Sequence, residues 1–458
     1  MHRISGVATM AVGLWLTLGL SSWAQRPPNN DVSDSIITAN TGGGTGALIS
    51  LSNGQNNTAY GAAALRNNTT GSSNTAFGDL TLTLNASSGN NTAVGDQALT
   101  FNTASNNTAV GASALRSNNT GADNIAVGAG ALLNNTNGVN NIAVGSSALR
   151  LNAGGAFNVA VGGSTLQSNN GTSNIAVGFA ALQNNATGGG NIAIGVNALQ
   201  SNTSGTSNAA VGEIALLKNF NGTNNTALGF QTLQSNTSGS FNTAVGNAAL
   251  LDNSTGGNNT AVGRSALLQN TAGTENIGLG HNAGLSLTSG NFNIYLGNGG
   301  GTTESNTMRL GQTQTRTFIA GIAGTPLSGS QVVVSSSGQL GILPSSARYK
   351  RDIEPMAARS LGLFRLLPVT FRYKEDPQRI RQYGLVAEEV AKVYPELVTR
   401  GSSGAIESVQ YHELMPMLLY ELQRQEQELR ELKAQHASLI ARFARFEEAA
   451  HTAALARR

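Results

Sequence analysis

Cysteine is absent from the 458-residue chain, so neither a disulfide framework nor a thiolate metal or redox site can be built from it. Charge is scarce as well: 11% of residues are Asp, Glu, Lys or Arg, where an ordinary soluble domain carries about a quarter. Aromatic residues make up 5%, and both tryptophans, Trp15 and Trp23, fall in the first 24 positions. The net charge of +3 is too small for the basic footprint of a nucleic-acid binder. Past the N-terminal region no segment stays apolar for the ~20 residues that a spanning helix needs. What abounds is glycine, with 57 residues, in a chain that is still 40% hydrophobic. That is too apolar for simple disorder and too poor in large side chains for a globular core.

The charges are unevenly placed. Residues 26–345 hold 17 charged side chains and residues 346–458 hold 33. Two materials therefore meet near residue 345.

Residues 1–24 read as a secretory signal. His2 and Arg3 precede the apolar run VATMAVGLWLTLGL, and Ser22, Trp23 and Ala24 supply the cleavage spacing. The apolar run is shorter than a membrane span. The expected product is exported, secreted or at the cell surface, and not anchored by a helix of its own.

From residue 50 to 300 the chain repeats itself. The pattern N-[T/I]-A-V-G recurs 15 times, with its Gly at intervals of 17 residues in 12 cases and 16 in two. Four before each Gly stands Asn; two before, Ala in 13 copies; four after, Leu in 13 copies. Polar tracts such as NNTTGSS separate the copies. The unit reads as strand, bend, short strand and polar turn. One unit of this size cannot bury its own apolar side, but stacked units can. The fold expected is mainly β: a 15-coil parallel β-roll or solenoid of 17-residue period. Alternation along T-A-V puts Ala on one face and the Thr/Val pair on the other. The uniform Ala column suggests close approach of another layer or subunit. The Asn column is placed to form an amide ladder that satisfies turn backbone. The Thr column (Thr58, Thr75, Thr92, Thr108) gives way to Ile125, Ile142, Val159, Ile175 and Ile192, which breaks any regular Thr array of the ice-binding kind.

These coils resemble the head repeats of trimeric autotransporter adhesins of the YadA type. The resemblance implies a left-handed β-roll with three chains side by side. The period here is longer, and the outer-membrane barrel of that family does not follow.

Residues 301–344 lose the period and read as a neck, with strand candidates at 316–322 and 331–334. Four motifs follow in order: LGILPSSARYKRDIEP, FRLLPVTFRYKED, QYGLVAEEVAKVYPELV and VQYHELMPMLLYELQRQEQELRELKAQ. The series resembles the C-terminal intramolecular chaperone, or auto-peptidase, domain of phage endosialidase tailspikes. The resemblance implies a domain at 345–410 that templates trimerisation and then cuts itself off with a Ser–Lys dyad. Ser345 would be the nucleophile, Lys350 the general base, and the bond between Pro344 and Ser345 the target. Arg348 and Arg351 are the cations placed to depress the lysine pKa. Ser346 stands where that family often has Asp.

Residues 384–398 read as a helix with Val386, Val390 and Val393 on one face. Glu388 and Glu389 are adjacent, so they diverge on a helix and read as salt-bridge partners. Residues 411–458 carry a heptad seam that includes Met415, Leu418, Leu422, Leu429, Leu432, Leu439, Phe443 and Phe446. Gln425 and His436 are polar seam positions, read as setters of register rather than metal ligands. No metal or cofactor is expected, and the partner expected is the chain itself, as a homotrimer. Two other readings stay open: a polymer-degrading extracellular hydrolase, and a trimeric scaffold that is never cleaved. Against the hydrolase, the carboxylates Asp79, Asp96, Asp123, Glu213, Asp252 and Glu275 lie scattered over many rungs.

Overall fold

A computed structural model describes residues 39–320, 329, 331–335, 337–401 and 403–456. The signal peptide expected at 1–24 lies outside the described residues, as does most of the lead-in at 25–49. Contacts divide the chain into two units, one up to Ile319 and one from Ala320.

The first unit is a parallel β-solenoid. Its first strand, β1 (Thr41–Gly43), pairs in parallel with β2 (Thr58–Tyr60). The strands β2 to β16 end at Ile294–Leu296, and β17 (Met308–Leu310) closes a single 17-stranded sheet. Thus the ladder begins before residue 50 and continues past 300, with one strand more at each end than the 15 copies in the sequence. Those end strands, TGG and MRL, lack the Ala-Val pair by which the copies are recognised.

Each rung contributes one three-residue strand, not two. The expected second strand around the Leu column is a tight turn in which Leu149 sits at φ 50 and Ser147 at φ 59. A left-handed residue costs roughly 1–2 kcal/mol, while burying a Leu side chain returns about 1.5–3 kcal/mol. Burial therefore wins, and Leu149 is fully buried. Leu suits this column because β-branched residues are outliers at positive φ. The repeated Gly is likewise forced: Gly178 has φ +130, and a Cβ there would meet the Gly195 carbonyl oxygen at 2.6 Å.

The Ala column meets a layer rather than a subunit. Ala143 and its equivalents are buried inside their own coil, packed with Ala148 and Leu149. The close layer is the opposite wall of the same chain. The Thr/Ile and Val positions of the strand face outward.

Two asparagine ladders run through this thin core. In the expected one, Asn141 Nδ2 donates to Asn124 Oδ1 at 3.1 Å and to the Gly155 carbonyl at 2.9 Å. Its Oδ1 accepts from the Asn158 backbone N–H at 3.1 Å and from Asn158 Nδ2 at 3.0 Å. A second ladder, not singled out from the sequence, includes Asn135, whose Nδ2 donates to Asn118 Oδ1 at 2.6 Å and the Gly138 carbonyl at 2.9 Å. Both are fully buried. They satisfy turn backbone that a core of Ala and Leu cannot. The short rung between Gly95 and Gly111 disturbs the pattern and leaves Asn91 Nδ2 without a partner.

The last two copies depart from the pattern: the one with its Gly at 280 has Gly284 in the Leu column, and the one with its Gly at 297 has Tyr295 in the Ala column. Tyr295 is fully buried and fills the space next to Gly284 and Gly300. Glu304 and Arg309 close over this end through an ion pair at 2.6 Å.

The second unit is small and mixed. Hairpin β18 (Val333–Val334) with β19 (Leu340–Gly341) comes first. Residues 316–320 form no strand, and residues 321 and 322 lie outside the described residues. A 3-10 segment at Ala357–Arg365 is followed by two further antiparallel pairs, β20 (Val369–Phe371) with β21 (Gln382–Gly384), and β22 (Val398–Arg400) with β23 (Ile406–Val409). The helix expected over 384–398 is only α1 (Ala387–Val393). Gly384 belongs to β21, and Pro395 opens a 3-10 turn that leads into β22. Val390, Tyr394, Leu397, Val409, Leu414 and Met417 form the core of this unit. The chain then enters the 45-residue helix α2 (Tyr411–Leu455).

Candidate functional site

Ser345 follows the β18–β19 hairpin on an exposed, extended stretch that includes Pro344. A 3-10 turn at Ala347–Tyr349 comes next, with Lys350 as its C-cap. The turn compresses the five-residue spacing, and Lys350 Nζ donates to Ser345 Oγ at 3.4 Å. The two residues named from the motif therefore meet in space. This distance is at the long end of hydrogen bonding. Both side chains are solvent-exposed. A lysine acts as a base only when burial or nearby cations favour its neutral form, and this pair lacks the burial.

Of the two arginines expected to support the dyad, one lies in this turn and the other just past its C-cap. The Arg348 guanidinium lies over the Tyr349 ring, 4.8 Å from its centroid. Arg351 is exposed. Glu389 pairs with Lys392 at 2.6 Å on the surface of α1, while Glu388 is exposed.

One buried polar pair was not legible in the sequence. The Ser360 hydroxyl donates to Glu421 Oε1 at 2.6 Å, across 61 residues. Both residues are buried, and Arg424 grips the other carboxylate oxygen at 2.7 Å. The Ser360 hydrogen bond first, and Arg424 second, hold the Glu421 carboxyl below its usual range. This joint fixes α2 to the domain. Nothing in a lone serine and a heptad-region glutamate signals it.

The face of α2 that packs on the domain carries Leu414, Met417 and Glu421. The expected seam lies elsewhere: Met415, Leu418, Leu422, Leu432, Phe443 and Phe446 are all exposed. An apolar cleft of about 490 Å³ adjoins it, lined among others by Leu363, Val369, Tyr383, Tyr411 and Leu418. In the solenoid, Asp79 and Asp96 occupy one column a single rung apart, both exposed. Among the described residues no group of His, Cys, Asp or Glu could hold a metal ion, and no helix is long and apolar enough to cross a membrane.

The profile of a family described as chaperone of endosialidase matches residues 345–399. The match begins on Ser345 and includes Lys350. No curated protein and no solved structure matches the chain. The chaperone domain and the parallel β-solenoid together fit a trimeric, tail-fibre-like protein.

Proposed function

We propose that the chain is an exported homotrimeric fibre whose C-terminal domain directs trimer assembly and then cuts itself off between Pro344 and Ser345. The observation that carries this reading is the contact of Lys350 Nζ with Ser345 Oγ at the first residues of the chaperone match. The exposed seam of α2 supports the assembly step, since a heptad stripe left in water is stable only against other helices. Three long parallel solenoids find register slowly by themselves. A coiled coil sets it for them.

The cleavage step follows from the position of the bond. Ser345 Oγ attacks the Pro344 carbonyl carbon while Lys350 Nζ takes the hydroxyl proton. The C–N bond breaks, the proton passes to the Ser345 nitrogen, and an ester joins Pro344 to Ser345 Oγ. Water then hydrolyses that ester to a Pro344 carboxylate and a free Ser345 hydroxyl. Both dyad groups are exposed in the single chain, so burial of Lys350 by neighbouring subunits is the step that makes it a base. Cleavage thereby waits for assembly. The rod left behind is held kinetically, its folding device removed. We read the rod as a structural or adhesive surface of the kind built from YadA-type head repeats.

The test is a denaturing gel of residues 26–458. Two bands that split at residue 345, reduced to one by Ser345→Ala and by Lys350→Ala, support the reading. An intact wild-type chain of trimeric mass would instead establish the uncleaved scaffold.

A further inference from the structure

The outward face of the solenoid sheet is a continuous surface that runs the length of the ladder. Across the 15 recognised rungs its two outward positions carry no charged residue, and the position before Gly is aliphatic or aromatic in every one. From β6 (Ile125–Val127) to β10 (Ile192–Ile194) both positions are aliphatic. Ile142 and Val144 are 38% and 36% exposed. The other walls mix exposed polar turns, as at Thr136 and Asn137, with scattered exposed aromatics such as Phe157, Phe179 and Phe241, whereas the sheet face is apolar in the same column, the one before Gly, in every copy.

We propose that this face is where copies of the chain pack on one another, with the Val and Ile columns inside the assembly. The inference rests on the trimeric reading above and says which wall of the rod the trimer uses. Fifteen rungs at ~4.8 Å by three residues at ~3.3 Å give a strip of roughly 700 Å² per chain. A standard interface buries about 800 Å² per partner, so the strip alone approaches what stable association needs. Its occupant must match it along its length. Only a structure with the same rise per rung keeps column against column over such a distance, and a second copy has that rise by construction. A globular partner would cover a few rungs and leave the remainder wet. The uncharged face also sets no electrostatic penalty against an identical surface.

The absence of cysteine makes the test clean. Val144→Cys places a single thiol on the face, and Asn137→Cys places one on a polar turn, both in the full chain. The mass in solution is read by light scattering. Mild oxidation is followed by a non-reducing gel, and maleimide labelling is timed on the native protein. The expected result is an oligomer in which Cys at 144 cross-links two chains and labels at least tenfold more slowly than Cys at 137, which forms no cross-link. A trimeric mass with fast labelling and no cross-link at 144 overturns the proposal and leaves the trimer standing on α2 alone. A monomeric mass removes the trimeric reading and this inference with it.

Discussion

Replacing Asn141 with Ala tests the account of the core directly. The amide makes two donated and two accepted hydrogen bonds, all buried. Most of its partners have a second contact. The Gly155 carbonyl keeps Asn152 Nδ2 at 2.9 Å, Asn124 Oδ1 keeps the Asn141 backbone N–H at 3.0 Å, and Asn158 Nδ2 keeps the Gly171 carbonyl at 3.0 Å. The Asn158 backbone N–H alone is orphaned. An unsatisfied buried donor costs about 1–3 kcal/mol, and each net hydrogen bond lost adds about 0.5–1.5 kcal/mol. The expected loss is therefore about 2–4 kcal/mol, concentrated on two or three rungs, because a repeat contacts only its neighbours. Asn137→Ala is the matched control. Asn137 is exposed, and surface changes of this kind stay within about 0.5 kcal/mol. Amide exchange on peptides covering residues 141–160 reads the difference. At about 1.4 kcal/mol per decade, Asn141→Ala should speed exchange there by roughly 30-fold or more and leave distant rungs protected. Equal exchange in the two variants would refute the claim that the buried ladder, rather than general packing, satisfies the turns.

Further outcomes follow from other columns. Gly178→Ala forces a Cβ onto the Gly195 carbonyl oxygen at positive φ and should cost more than 2 kcal/mol, read as a drop in denaturation midpoint or loss of soluble protein. Hydrogen bonding from Arg309 holds the Glu304 carboxyl down at about 2, below its ordinary 4.5. The stability it contributes is complete above about pH 4.5 and is lost as pH falls through 2. Arg309→Gln should flatten that part of the acid-denaturation curve followed by circular dichroism. Ser360→Ala leaves the buried Glu421 carboxylate without its hydroxyl donor and should destabilise the second unit by about 1–3 kcal/mol. Solenoid rungs should be unaffected, which proteolysis of the two units distinguishes.

The repeat was legible because stacking makes each column answer to one environment. The Asn four before each Gly meets one environment in every copy, and Asn141 forms the ladder that this position predicts. The second ladder was hidden because Asn135 lies in a tract rich in Asn, Thr and Ser, where turn propensity explains the composition equally well. Tyr295 showed only as a departure from the Ala column, while its role as end plug depends on Gly284, Gly300 and the Glu304–Arg309 pair. At the candidate site, the motif named Ser345 and Lys350, and the 3-10 turn brings them together. The stacking of Arg348 on the Tyr349 ring depends on side-chain placement that the motif does not encode.

The period, the small core residues and the heptad seam belong to the sequence, because stacked coils and helices follow from regular spacing of apolar side chains. Direction across the wall did not. Alternation divides Ala from Thr and Val but is symmetric about the strand, so it cannot say which set is inside. Only the closed coil decides it. At the strand its interior leaves room for little more than Ala, because Leu and the paired Asn from the turns fill the rest, and the Thr, Val and Ile of the strand are left on the outer surface.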